Sequence, residues 1–159
     1  MKSQELACMD IAALAPLIKG REVSPLEVME SQLDRIAALN PDLNAYTSLY
    51  PDMALAAAKE AESEIAAGGY RGPLHGIPMA VKDLFQVAGM ERTCGSKILN
   101  EGVANADATS VARLRDAGAI MVGLLNLHEF AFGPTGINPI VGTALNPWDL
   151  TRVSGGSSS

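Results

Sequence analysis

Apolar positions recur at helical spacing through much of the first 70 residues. Leu26, Met29, Leu33 and Ile36 lie three or four apart, the period of a helix with one buried face. Ser24-Pro25-Leu26-Glu27 stands ahead of them, a capping box with proline at the first helical position. Asn40-Pro41 predicts the stop of that helix, because proline cannot donate into the preceding turn. Upstream, Ile11, Leu14, Leu17 and Ile18 share roughly one face, but Pro16 sits inside the pattern. A kink there, or a helix starting near Ala15, is the expectation. Pro51-Asp52 opens a third, alanine-rich helix through Ala67, closed by Gly68-Gly69. Leu43 to Leu49 alternates in part and reads as a short strand or extended connection. Residues 1–69 are therefore expected to be an N-terminal helical segment.

The pattern changes from Gly72. Gly72-Pro73-Leu74-His75-Gly76 is turn material. Ile77 to Val81 is an apolar run that ends abruptly in Lys82-Asp83. Asp107-Ala108-Thr109-Ser110 offers N-cap side chains before Val111 and Leu114, and Gly118 marks the stop. Ile120 to Leu125 is a second continuous apolar run. Strand, capped helix and strand predict a βαβ unit in a parallel or mixed sheet covered on both faces. Beyond Phe132 the chain is punctuated by glycine and proline. It ends in Ser154-Gly155-Gly156-Ser157-Ser158-Ser159, which by composition alone resembles a flexible linker. The only tryptophan, Trp148, stands just before it and predicts a packed, ordered site. Residues 70–159 are expected to begin an α/β core.

Composition narrows the function classes. The 159 residues carry 12 basic and 18 acidic side chains, which argues against a basic nucleic-acid footprint. The acidity is localised: residues 1–69 hold 5 basic and 11 acidic groups, whereas residues 70–159 hold 7 of each. Chemistry is accordingly sought in the neutral second part. Cys8 and Cys94 form no CxxC pair and read as two free thiols of a reducing compartment. No apolar run approaches the roughly 18 residues of a membrane span, and no signal peptide is visible, so a cytoplasmic location without membrane partners is expected.

Several familiar sites are missing. His75 and His128 are the only histidines and neither has a second ligand at helical spacing. There is no phosphate-loop pattern and no well-placed GxGxxG. Residues 155–159 approach a nucleophile elbow but lack its closing glycine, and no serine stands three residues before Lys82 or Lys97. Lysine with serine remains. An amine at the end of an apolar strand is partly desolvated, which favours its neutral form. A neutral lysine can take a proton from a serine hydroxyl. Gly155 and Gly156 would let the following serines approach closely.

The succession of motifs is more specific than any one of them. It runs from Gly76-Ile77-Pro78-Met79-Ala80-Val81-Lys82-Asp83 to Thr93-Cys94-Gly95-Ser96 and Asp107-Ala108-Thr109. Gly118-Ala119, Gly123 to Ala131, Asn146-Pro147-Trp148-Asp149 and Gly155-Gly156-Ser157-Ser158 follow. In order and spacing this series resembles the amidase signature family, over essentially the whole chain. The resemblance implies an α/β fold, a mixed sheet covered by helices, present here as an incomplete N-terminal part with its helical leading segment. It implies carboxamide hydrolysis by a Ser-cisSer-Lys triad, with Lys82 as the base and Ser157 as the bridging serine after a cis peptide. Gly155, Gly156 and Ser158 would support that serine, and Phe132 and Gly133 would border the substrate. The nucleophilic serine of the family lies a couple of dozen residues further on, so this stretch alone is expected to be inactive. No metal or organic cofactor is implied. The expected partner is a small amide substrate, without nucleic acid for a free amidase, and homo-oligomerisation stays open. The same motifs fit a glutaminase subunit of a tRNA-dependent amidotransferase. A non-catalytic split product acting as an interaction module is the third reading.

Overall fold

A computed structural model describes residues 3–99 and 101–159. In chain order the helices are α1 (Ser3–Leu6), α2 (Ile11–Lys19), α3 (Pro25–Leu43), α4 (Pro51–Ala66) and α5 (Thr109–Asp116). The strands are β1 (Tyr46–Leu49), β2 (Pro78–Lys82) and β3 (Ile120–Leu125), and a 3-10 turn covers Glu129–Ala131. The three strands form one sheet in the order β1-β3-β2. β1 runs antiparallel to β3, with Tyr46 opposite Leu125 and Leu49 opposite Gly123. β2 runs parallel to β3: Ile120 N–H donates to the Ile77 carbonyl at one end, and Asp83 N–H to the Leu125 carbonyl at the other. The expected βαβ unit is present, and β1 makes the sheet mixed.

Burial follows the sequence pattern for β3 and departs from it for β2. Ile120 through Leu124 are buried, as a strand covered on both faces requires. All five residues of β2 are only half-buried, consistent with its place at the edge of the order.

The chain divides into two compact units. The first comprises Met1–Ala38, Tyr50–Met79 and Ala112–Val122. Its core joins Leu6, Leu14, Ile18, Val23, Val28, Ile65 and Ile77, with Met9, Leu17 and Tyr70 packed against it. Each such side chain removed from water contributes roughly 1.5–3 kcal/mol. Ala54, Ala58, Ala61 and Ile65 line the buried face of α4, so alanine spacing sets its close approach. The capping box predicted for α3 is formed: Glu27 N–H donates to Ser24 Oγ (3.1 Å) and Ser24 N–H to Glu27 Oε2 (2.8 Å).

Two proline expectations are corrected. α2 begins at Ile11, not near Ala15, because the Asp10 carboxylate caps it by accepting the Ala13 N–H (2.8 Å). Pro16 costs that helix a single hydrogen bond, which the burial of Leu14, Ala15 and Ile18 offsets. Pro41 does not stop α3 either. The helix continues to Leu43, and Asn44, at φ 50° with its N–H on the Asn40 carbonyl (2.8 Å), ends it.

The second unit comprises Leu39–Leu49, Ala80–Val111 and Gly123–Ser159. Regular structure is sparse there, and hydrogen bonds from side chains to backbone take its place. Val87, Met90, Leu124 and Leu127 are buried alongside the polar Asp83, Ser96, Asn126 and Asn138. The expectation of a packed tryptophan is overturned, since Trp148 is 95% exposed. The order of its segment comes from the backbone. Trp148 N–H donates to Asn146 Oδ1 (3.0 Å), and Asp149 N–H to the Asn146 carbonyl (3.1 Å). No helix among the described residues is long and apolar enough to cross a membrane.

Candidate active site

Lys82 is the last residue of β2, and the next residue anchors the strand end. Asp83 is fully buried. Its N–H joins the sheet at Leu125, and its carboxylate accepts the Thr93 N–H (2.9 Å) and the Thr93 hydroxyl (2.5 Å). Asp83 thereby ties down the turn that follows β2, at whose end Lys82 stands. Lys82 Nζ lies 2.7 Å from Ser157 Oγ, and both residues are half-buried.

Ser157 is held by backbone pairing. His128 N–H donates to the Ser157 carbonyl (3.0 Å), Ser159 N–H donates to the Asn126 carbonyl (3.3 Å), and Leu127 and Ser158 form an antiparallel bridge. The three terminal serines thus lie along residues 126–128. The Gly156–Ser157 peptide is cis.

Glycines make this approach possible. A Cβ on Gly156 would stand 2.5 Å from the Gly136 nitrogen and 3.0 Å from the Gly133 carbonyl oxygen. A Cβ on Gly133 would meet the His128 ring at 2.4 Å. Gly136 has φ 72°, and a Cβ there would lie 2.1 Å from the Gly155 oxygen. No side chain fits between these segments.

Of the residues singled out from sequence, Lys82, Ser157, Gly156 and Gly133 are brought together. Gly155, at φ 99°, leads into the turn. Ser158 is exposed and takes part through its backbone bridge to Leu127. Phe132 follows the 3-10 turn and is 90% exposed. In that turn Phe130 and Ala131 take φ of 51° and 57°, a left-handed pair that costs about 1 kcal/mol or more per residue.

Asn126 and Asn138 were not singled out from sequence as site residues. Both are buried to 1% exposure or less, and both carboxamides bond only backbone groups. Asn126 accepts the Leu127 N–H and donates to the Asn44 and Gly142 carbonyls. Asn138 donates to the Leu127 and Gly95 carbonyls and accepts the Ile140 and Val141 N–H groups. Asn138-Pro139 reads from sequence only as a turn dipeptide. A stronger signal would have been the conflict between a polar residue and a buried position, which sequence does not display.

The two histidines have separate surroundings. His75, in the first unit, is buried; its Nδ1 accepts the Arg71 N–H (3.1 Å) and its Nε2 lies 3.1 Å from Glu64 Oε2. Burial, reinforced by the Arg71 charge and opposed by Glu64, holds its pKa below the ordinary value. A cavity of about 240 Å³ beside it is lined by Glu60, Glu64, Arg71 and Arg115 among others, and by neither Lys82 nor Ser157. His128 lies in the second unit against Gly133. No group of three or more His, Cys, Asp or Glu able to hold a metal occurs among the described residues.

Lys82 Nζ and Ser157 Oγ thus stand at hydrogen-bond distance at the end of a mixed sheet, a separation across which an amine and a hydroxyl can exchange a proton. The amidase family profile matches residues 27–159. The chain belongs to that family, the amidase signature hydrolases, and matches their N-terminal portion. Among curated relatives, the A subunit of glutamyl-tRNA(Gln) amidotransferase from Acidothermus cellulolyticus is 48% identical over 91% of this chain and 29% of its own length. Its namesake from Geobacter metallireducens is 46% identical over 98% of the chain and 32% of its own length. Among solved structures, native peptide amidase from Stenotrophomonas maltophilia superposes with a TM-score of 0.89 at 37% identity, over 98% of this chain and 33% of that one. Fatty acid amide hydrolase gives 0.91 at 27% identity, over 99% and 28%. The chain therefore spans about a third of the length of the relatives it matches.

Proposed function

We propose that this chain is the leading part of a glutaminase subunit of the amidotransferase type, hydrolysing the carboxamide of glutamine to carboxylate and ammonia. The observation that carries the hydrolytic chemistry is the 2.7 Å contact between Lys82 Nζ and Ser157 Oγ in a chain of the amidase family. Lys82, as the free amine, takes the Ser157 hydroxyl proton. The Ser157 oxygen in turn takes the proton of an attacking serine. The relay runs in reverse when the leaving amine is protonated. In this reading the attacking serine comes from outside residues 1–159, as the resemblance to the family implies. Gly155, Gly156 and Ser158 support Ser157 in this reading, and Phe132 and Gly133 border the substrate. No metal or organic cofactor enters the scheme.

Support for glutamine as substrate comes from the curated relatives, which at 46–48% identity carry the amidotransferase name. A free amidase is the second reading, favoured by the solved amidases at 37–39% identity. Ammonia release by the full-length protein, from glutamine and from simple aliphatic and aryl amides, separates the two. Turnover of glutamine only when partner subunits are added supports the first. Turnover of simple amides by the protein alone supports the second. Failure of both substrate classes, with partners present, would leave the chain an interaction module and overturn the hydrolase reading.

A further inference from the structure

Asn138 is fully buried, and both ends of its carboxamide are committed. Its Nδ2 donates to the Leu127 carbonyl (3.1 Å) and to the Gly95 carbonyl (2.9 Å). Its Oδ1 accepts the N–H groups of Ile140 (2.9 Å) and Val141 (3.2 Å), and its own N–H donates to Thr143 Oγ1 (3.1 Å). One side chain thus joins the loop at 93–96, the segment at 126–128 and its own turn. A Cβ on Gly95 would lie 2.5 Å from Nδ2, so no side chain separates the carboxamide from that loop.

The segment it grips is the one that carries Ser157. Leu127 is fully buried. Its N–H is taken by Asn126 Oδ1 (2.7 Å), and its carbonyl by Asn138. The flanking groups, His128 N–H and the Asn126 carbonyl, pair with Ser157 and Ser159. Residues 126–128 are a rail with the serines on one edge and the two carboxamides on the other. Gly95 is joined to the same frame, since Cys94 accepts the Phe130 N–H (2.9 Å) and Ser96 Oγ donates to Glu129 (2.6 Å).

We propose that Asn138 is a positioning residue: its carboxamide fixes the 126–128 rail and thereby sets the Ser157 hydroxyl at hydrogen-bond distance from Lys82 Nζ. The importance of that distance rests on the reading of Ser157 as the proton relay, whereas the placement itself is measurable without turnover. Asparagine suits the place because it donates two hydrogen bonds and accepts two from one planar group. An aspartate would face two carbonyls with no donor, and an alanine would leave the Leu127 and Gly95 carbonyls buried and unpaired.

The test uses the full 159-residue chain and its Asn138→Ala, Asn138→Ser and Ser157→Ala variants. Amide hydrogen exchange is read at His128 and Ser159, with Asp83 N–H, bonded to Leu125 in the same unit, as the internal reference. The Lys82 Cε resonance is followed in ¹³C-lysine-labelled protein. In both Asn138 variants, exchange at His128 and Ser159 is expected to rise by at least about tenfold relative to Asp83. The Lys82 resonance should move towards its position in Ser157→Ala. Exchange at His128 and Ser159 that keeps pace with Asp83, in Asn138→Ala and in the milder Asn138→Ser alike, would reduce Asn138 to a general stabiliser and overturn the proposal. A Lys82 resonance unmoved by Asn138 variants but shifted by Ser157→Ala would overturn it too. Should Ser157→Ala itself leave Lys82 unmoved, the proton-relay reading fails, and the exchange data alone still decide the role of Asn138.

Discussion

Lys82 and Ser157 are 75 positions apart in the chain and 2.7 Å apart at Nζ and Oγ. The strand end brings the amine, and the glycine-lined turn brings the hydroxyl. If the contact is the proton relay, Lys82→Ala and Ser157→Ala should each lower amide turnover about a thousandfold or more in the assembly that carries the activity. Steady-state ammonia release checks this, and substantial activity in Lys82→Ala would sink the assignment.

Gly136 should be far less tolerant than Gly68. Both have positive φ, 72° and 88°, but a Cβ on Gly68 meets nothing within 4 Å, whereas on Gly136 it would strike the Gly155 oxygen and Ser159 Oγ. Gly68→Ala is expected to cost about 1 kcal/mol, and Gly136→Ala about 2–4 kcal/mol through strain and overpacking together. Urea unfolding of the two variants ranks them. Equal costs would mean that the turn around Gly136 relaxes freely.

At the start of α3, the reciprocal bonds between Ser24 and Glu27 should be worth about 1 kcal/mol. Ser24→Ala should lower the denaturation midpoint accordingly, and Ser24→Asp should restore most of it. An unchanged midpoint in Ser24→Ala would show that packing alone holds this terminus.

His75 makes stability depend on pH. Its folded pKa is held below the ordinary 6.5, first by burial and then by Arg71, against the pull of Glu64. As pH falls, the unfolded chain takes up the proton first. The contribution is therefore complete above about pH 6.5 and lost as pH drops towards the lower folded value. Urea titrations at about pH 7.5 and 5.5 should show a smaller loss for His75→Gln than for the unmodified chain. An identical loss in both would assign the pH dependence to other groups.

The two thiols should behave differently. Cys8 is exposed and Cys94 buried, and burial pushes the Cys94 thiol up. A disulfide reagent near neutral pH should modify one thiol per chain at once and the second only in denaturant. Rapid loss of both thiols would show that the 93–96 loop opens in the native state.

Much of the fold was legible because local chemistry and burial agree. Ser24 and Glu27 satisfy each other's backbone donors within three residues, so the start of α3 follows from composition and spacing. Ile120 to Leu125 is apolar at every position because both faces are covered, and the strand occupies those residues. The helix start near Ala15 and the stop at Pro41 failed because local propensity was overridden, by a cap at Asp10 and by continuation into a left-handed Asn44. Trp148 misled because a side chain's appetite for burial says nothing about where its turn lies in the fold.

At the site, sequence by itself determined the ingredients: an apolar strand ending in Lys82, two glycines before Ser157, and the order of motifs that marks the family. Each rests on residues adjacent in the chain, where propensity and sterics act directly. Only the tertiary structure decided that Lys82 and Ser157 meet, that Gly133, Gly136 and Gly156 share one tight contact, and that Asn126 and Asn138 grip residue 127. Those relations join segments tens of residues apart. Their physical cause is the satisfaction of buried carbonyls and N–H groups once the chain is closed, a demand that no single stretch of sequence carries.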